Sequence, residues 1–243
     1  MLSDEQIDVF KTEGCVILRS FYEPAHVETW RDIFWTHVGA QADDPETWPD
    51  SYVIDGLALD PVPGSLPQAQ AVAQQLGGGM FAGGGGSMLV QWPGCDQEWQ
   101  LPVSGHIDGY GPGGWSGGFM LGATFYLDDV EAEGGAFIYW PQSHLSTQEY
   151  FREFPEQIDG SFRERDDWEE RTWGIFSDLS PQGPREFVGK AGDLILWHGF
   201  LCHTGSANVR SRPRQGVFSR WHRSDREEMR CDVPEDLWKY WAI

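Results

Sequence analysis

The chain is poor in bases: 17 Lys and Arg stand against 38 Asp and Glu, a formal charge of −21 over 243 residues. Phosphate affinity needs clustered Lys and Arg, so this balance excludes binding nucleic acid or an anionic membrane through a basic face. Cysteine is scarce too, with Cys15, Cys95, Cys202 and Cys231 scattered and no CxxC pair. That spacing argues against a disulfide framework or a zinc site and for reduced thiols in a cytoplasm. No apolar run is long enough to span a bilayer, and the acidic opening Met1-Leu2-Ser3-Asp4-Glu5 lacks the apolar core of a secretory signal.

What is present suits a folded, β-rich enzyme-sized domain. Hydrophobic residues make up 40% and charged residues 23%, enough apolar content for a core. The 13 Trp fit a β-rich interior or an aromatic-lined pocket, and the 30 Gly fit tight turns. A single domain over 1–243 is expected: a helical flank over about 1–40, a β core over about 87–222 and a C-terminal helix over about 233–242.

Ser3 and Gln6 have capping-box spacing and open a first helix that Gly14 ends. Cys15–Leu18 reads as a strand, Pro24 starts a second helix, and a short third helix covers 68–76. Between 77 and 86 seven glycines crowd ten positions. No Lys-Ser/Thr follows them, so the segment is expected to be a flexible turn between strands rather than a phosphate loop. Short apolar or alternating runs at 87–92, 119–127, 136–140, 186–190, 194–198 and 215–221 read as strands. The acidic stretch 149–171 is expected to be a solvated insertion, with a lid over a pocket as the functional alternative. Helices followed by many strands predict a mainly β protein, a sandwich or barrel with helices on one flank.

Two histidines have an acid two residues on. His26 and Glu28 fall on the second expected helix, where positions i and i+2 diverge by about 200° and cannot chelate one ion. His106 and Asp108 lie at a strand end in Ser104-Gly-His-Ile-Asp-Gly109. On a strand, i and i+2 share a face, roughly 6.6 Å apart at ~3.3 Å per residue, so the two side chains can converge on one metal. A third ligand is needed from a neighbouring strand, and His198 and His203 are the candidates. Arg214 stands 11 residues beyond His203, on the next expected strand, where it can bind an anionic co-substrate; the residue 11 beyond His198 is Val209, which cannot. His-x-Asp with a distal His is the ligand set of the two-histidine, one-carboxylate facial triad of non-haem Fe(II) oxygenases, which leaves coordination positions open.

Taken together, these motifs resemble the phytanoyl-CoA dioxygenase (PhyH-like) family of Fe(II)/2-oxoglutarate-dependent oxygenases. The resemblance rests on the opening from Leu2 to Ile17, on His106-Ile-Asp108, and on Leu127-Asp-Asp-Val130, Gly134-Gly135 and Trp140-Pro-Gln-Ser-His144. It continues through Gly192-Asp193, His203, Asn208 and Arg214. It implies a double-stranded β-helix of jelly-roll or cupin type, with Fe(II) held by His106, Asp108 and His203. Arg214 would pair with the far carboxylate of 2-oxoglutarate, with Gln91 and Thr124 as further co-substrate contacts. The implied reaction consumes O2 and 2-oxoglutarate, releases succinate and CO2, and hydroxylates a small molecule. Retention of Asp108 favours hydroxylation over halogenation. The chain departs from the pattern at Gly205, where many members have Ser two residues past the distal histidine, and at Gln142, which replaces a Gly.

Tyr110, Trp115, Trp221 and His144 are the candidates for lining the substrate pocket. For most of the tryptophans, ordinary core packing is the competing role. The acid surplus points to a neutral or cationic small-molecule substrate and away from acyl-CoA. A monomer or homodimer is expected, with Trp238 and Trp241 packing inward or at a dimer contact. Two other classes stay open on the residues alone: a cupin-like metal enzyme that does not use 2-oxoglutarate, and a non-catalytic binding protein on the same fold.

Overall fold

The computed structural model describes residues 1–52, 54–94, 98–111, 113–115, 117, 120–161, 173–229 and 231–243. In chain order its helices and strands are α1 (Asp4–Glu13), β1 (Cys15–Leu18), α2 (Pro24–Val38), α3 (Pro67–Gly77), β2 (Phe81–Gln91), β3 (Tyr110–Gly111), β4 (Gly114–Trp115), β5 (Met120–Tyr126) and β6 (Phe137–Tyr139). They continue as α4 (Ser143–Glu153), α5 (Pro155–Asp159), α6 (Ile175–Asp178), β7 (Arg185–Phe187), β8 (Leu194–His198), β9 (His203–Gly205), β10 (Arg214–Arg223) and α7 (Arg226–Met229). No helix among the described residues is long and apolar enough to cross a membrane.

The helices begin where the sequence places caps. Ser3 and Gln6 form both hydrogen bonds of the capping box, and Gly14 ends α1 in the left-handed conformation. Pro24 starts α2, whose Val27, Trp30 and Phe34 are buried. The strands form a five-stranded sheet in the order β1-β8-β5-β10-β2 and a three-stranded sheet in the order β7-β6-β9, every pairing antiparallel.

Alternation divides the larger sheet into two faces. Leu121, Ala123, Phe125, Leu194, Leu196, Val217 and Trp221 join the core beneath α1, α2 and α3. Met120, Tyr126, Ile195, Trp197 and Phe218 point the other way and pack with Phe137, Tyr139 and Phe187 of the smaller sheet. The site lies on this second, inter-sheet side.

Two expectations are corrected. The glycine-rich segment is not a turn: Gly83 to Gly86 lie inside β2, paired with β10 across a register shift. Here the missing side chains admit another backbone. A Cβ on Gly64 would stand 2.2 Å from the carbonyl oxygen of Gly84, which itself has φ +97°. The C-terminal helix is absent, and residues 235–241 form bends and turns. Asp236 and Trp238 carbonyls accept from Lys239 and Trp241, three residues on. Trp238 and Trp241 pack inward on Phe10 and His198 rather than along a helix face. The acidic stretch enters α4 and α5 as far as Asp159, and its part over 162–171 lies outside the described residues.

His144 and His198 are buried between α1, α4 and this C-terminal segment, their rings 5.7 Å apart. His144 Nε2 donates to the Lys11 carbonyl, and His198 Nδ1 accepts from the Phe200 N–H, so each neutral tautomer is set by the backbone. Burial lowers both pKa values, that of His144 to about 4. A folded-state value below the unfolded ~6.5 means that stability is full above about pH 6.5 and falls as the pH drops towards 4. For His144 alone the loss is about 3 kcal/mol, at ~1.36 kcal/mol per unit. Urea unfolding of the metal-free protein between pH 7 and pH 4 checks this. The slope should flatten in His144→Gln, whereas an unchanged slope would show that His144 is not the group responsible.

Candidate active site

The site is assembled by one backbone pairing. His106 and His203 face each other as an antiparallel bridge. The His106 N–H donates to His203 O at 3.0 Å, and the His203 N–H to His106 O at 2.8 Å. Opposite residues of such a pair project to the same side, so both imidazoles stand together. On its other edge His203 pairs with Tyr139 of β6, which anchors it in the smaller sheet. Gly105 lets the strands close: a Cβ there would stand 2.7 Å from both His203 O and the Trp140 ring.

Asp108, two residues on, points the same way. Its Oδ1 is 3.4 Å from His106 Nε2 and 3.5 Å from His203 Nε2. One ligand atom from each of the three residues lies within 4.8 Å of the others. The tautomer of His203 follows from its partner: Nδ1 bonds the Leu201 carbonyl at 2.9 Å, and a carbonyl only accepts, so the proton is on Nδ1. In the neutral ring the Nε2 lone pair therefore faces the Asp108 carboxylate. Converging acceptors of this kind can hold a cation between them, and the donor set of two imidazoles and a carboxylate suits Fe(II). Burial lowers the pKa of His106, which favours the neutral, metal-binding form. Burial works to raise the pKa of Asp108, but its histidine neighbours and the Arg220 guanidinium that donates to it hold the carboxyl well below its usual range.

The surroundings fix these rings. Phe137 stacks on His203 at 5.1 Å and Trp197 lies against it at 4.7 Å. Trp173 stacks on His106 at 4.7 Å with an interplanar angle of 22°. The His203 side chain is buried, whereas that of His106 is 31% exposed, so the site opens on the His106 side, beneath the half-exposed Trp173.

Arg214 opens β10 and is buried, 4% exposed. Its Nε donates to Gly135 O at 2.6 Å and its Nη1 to Leu89 O at 3.0 Å. Among the described residues no carboxylate pairs with it. A buried guanidinium without a counter-charge is costly and calls for an anion from outside the chain. Gly205 leaves room beside it, since a Cβ there would stand 3.5 Å from Arg214 Nη2. Gln91 is the direct register partner of Arg214. Thr124, paired with Phe218, is fully buried and accepts from Trp197 Nε1 at 3.1 Å.

The four expected substrate residues separate. Tyr110 gives its hydroxyl to Gln157 at 2.7 Å and leans on Phe151 and Phe176. Trp115 is buried and donates its indole N–H to the Asp108 carbonyl at 3.0 Å, so it supports the triad rather than forming an open wall. Trp221 lies on the helix-side face of β10 with Leu121 and Phe125, turned away from the triad because alternation opposes it to Arg220. His144 packs against α1, where a Cβ on Gly14 would meet its Nδ1 at 2.5 Å. His198 likewise faces the helix-side core, which leaves His203 as the distal histidine.

Two residues escaped the sequence reading. Arg220 donates through Nε to Asp108 Oδ2 at 2.7 Å, with Nη2 2.6 Å from the same oxygen. An even separation from Arg214 on one strand was the available signal. Trp173 sits in no periodic pattern, and nothing in the sequence marks it. Trp115→Phe keeps the ring and removes the donor to the Asp108 backbone. Calorimetric titration with Mn(II) should show affinity reduced about tenfold, at the low end of outer-shell effects, with the circular dichroism spectrum unchanged.

Comparisons with known proteins agree with this geometry. The family model described as Phytanoyl-CoA dioxygenase (PhyH) matches residues 106–216, a span that holds His106, Asp108, His203 and Arg214. No curated protein matches the sequence. Among solved structures, the epimerase SnoN in complex with Fe3+, alpha ketoglutarate and nogalamycin RO superposes with a TM-score of 0.61 at 18% identity, covering 91% of this chain and 83% of that one. HygX from Streptomyces hygroscopicus with nickel and 2-oxoglutarate bound gives 0.61 at 14% identity, covering 92% and 88%. EctD from S. alaskensis with 2-oxoglutarate and 5-hydroxyectoine gives 0.63 at 13% identity, covering 93% and 77%. The fold is thus the double-stranded β-helix of the 2-oxoglutarate oxygenases, and the segment 106–216 is similar to the phytanoyl-CoA dioxygenase (PhyH) family.

Proposed function

We propose that this protein is a non-haem Fe(II)/2-oxoglutarate-dependent dioxygenase that hydroxylates a small molecule. The balance is one substrate C–H, O2 and 2-oxoglutarate giving the alcohol, succinate and CO2. The observation that carries this reading is a triad that can hold a cation beside a buried arginine that has no carboxylate partner among the described residues.

His106, Asp108 and His203 would hold the iron, which supplies redox chemistry and open coordination positions. Arg214 would bind the far carboxylate of 2-oxoglutarate. Its two backbone bonds aim the guanidinium and leave Nη2 for the anion, while burial strengthens the charge-assisted contact. Gln91 and Thr124 lie on the same inner face and would flank the co-substrate. Trp197, held by Thr124, and Phe137 exclude water from the His203 side.

The charge of −21 supports a neutral or cationic substrate in preference to acyl-CoA. The free thiols of Cys15, Cys202 and Cys231 suit a reducing compartment such as the cytoplasm. A substrate screen read by succinate formation tests the class, and turnover confined to polyanions would reject it.

An anaerobic titration with Fe(II) and 2-oxoglutarate should give the visible charge-transfer band of an iron–keto-acid chelate. Its absence in the wild type would remove the oxygenase reading. Arg214→Ala should weaken 2-oxoglutarate binding at least about a hundredfold, in line with the roughly 3–5 kcal/mol of a broken buried charge pair. Retained 2-oxoglutarate turnover in that variant would point instead to a cupin-like enzyme with another co-substrate.

A further inference from the structure

The two oxygens of Asp108 are not equivalent. Oδ1 faces both histidines, at 3.4 and 3.5 Å. Oδ2 is turned away from them and held by two nitrogens of Arg220, at 2.7 and 2.6 Å. Arg220 is itself braced: its guanidinium lies 5.7 Å from the Trp197 ring centroid and 6.0 Å from that of Phe218. The Arg214 guanidinium also approaches the Phe218 ring, at 5.9 Å from its centroid. The Asp108 backbone is pinned as well, by Trp115 Nε1 on its carbonyl at 3.0 Å. A carboxylate fixed at its backbone and at one oxygen has little freedom to rotate.

We propose that Arg220 is a positioning residue that makes Asp108 a one-oxygen metal ligand. This rests on the reading of the triad as the iron site. Two imidazoles and Oδ1 would fill three of about six positions in a facial-triad site. A second Asp108 oxygen would take a fourth, too many for a two-toothed keto acid and O2 to share the remainder. Arg220 removes that option by satisfying Oδ2 with a forked, charge-assisted contact. Its hydrogen bonds to the triad go to Asp108 alone, so its positioning role runs through that carboxylate. Lysine could supply the charge but not the fork.

The test uses crystal structures of the full chain loaded with Ni(II), together with the charge-transfer band of the anaerobic Fe(II)/2-oxoglutarate complex. The wild type should show one Ni–Asp108 bond, through Oδ1, with Oδ2 still on Arg220. In Arg220→Met, both carboxylate oxygens should reach the metal and the band should shift. Arg220→Lys, which keeps the charge without the fork, should give a band between those of the wild type and Arg220→Met. If Arg220→Met does not fold, Arg220→Gln is read in its place. A wild-type structure with Oδ2 on the metal would overturn the proposal, as would a charge-removing variant whose ligation and band match the wild type. A wild type that binds Ni(II) through Oδ1 yet gives no band with Fe(II) and 2-oxoglutarate would instead count against the oxygenase reading and leave the role of Arg220 standing.

Discussion

The site depends on one pair of backbone hydrogen bonds, those exchanged by His106 and His203. The two residues are 97 positions apart in the chain. Without that pairing their side chains have no reason to meet. With it, they stand on one face at the short spacing of opposed antiparallel residues, and the turn at Asp108 brings its carboxylate to the same side. Gly105 permits the approach and Tyr139 secures the far edge. The metal-binding geometry is therefore a property of strand register, and a slip of one residue would turn every ligand to the wrong side.

Strand β10 brings two positive charges, Arg214 and Arg220, to the inter-sheet side. Arg214, Phe218 and Arg220 share its inner face, and both guanidiniums approach the Phe218 ring. The arginines have opposite circumstances. Arg220 is neutralised by Asp108, whereas Arg214 is buried against carbonyls with no counter-charge among the described residues. A structural ion pair and a prepared anion site thus start six residues apart on one strand, and their guanidiniums both approach the Phe218 ring, at 6.0 and 5.9 Å from its centroid. Of the 38 acids, only Asp108 enters the proposed chemistry.

Much of the fold was legible. The capping box, Pro24 and the left-handed Gly14 mark helix ends through local chemistry, and they form as the sequence indicates. The 194–198 run appears as β8 with the same bounds. The glycine-rich segment misled because a sequence shows that glycine tolerates a turn but not that a neighbouring backbone needs the space. Its strand identity is conferred by β10 and by the contact with Gly64. The C-terminal helix failed for a related reason: two tryptophans at helical spacing are packed inward by turns that Asp236 begins.

The sequence by itself determined the chemistry available: a His-x-Asp pair on an extended segment, a distal histidine and an arginine eleven residues beyond it, in an order that carries the family's pattern. Those are short-range facts, set by residue identity and by the period of a strand. The tertiary structure decided which residues share a space. It set His203 beside His106 and Asp108 and kept His198 in the helix-side core, sent Trp221 and His144 there too, turned Trp115 into a support for Asp108, and brought Arg220 to Asp108 and Trp173 to His106. Each of these depends on pairings between segments distant in the chain, where sheet register fixes which face a side chain occupies and what lies across from it.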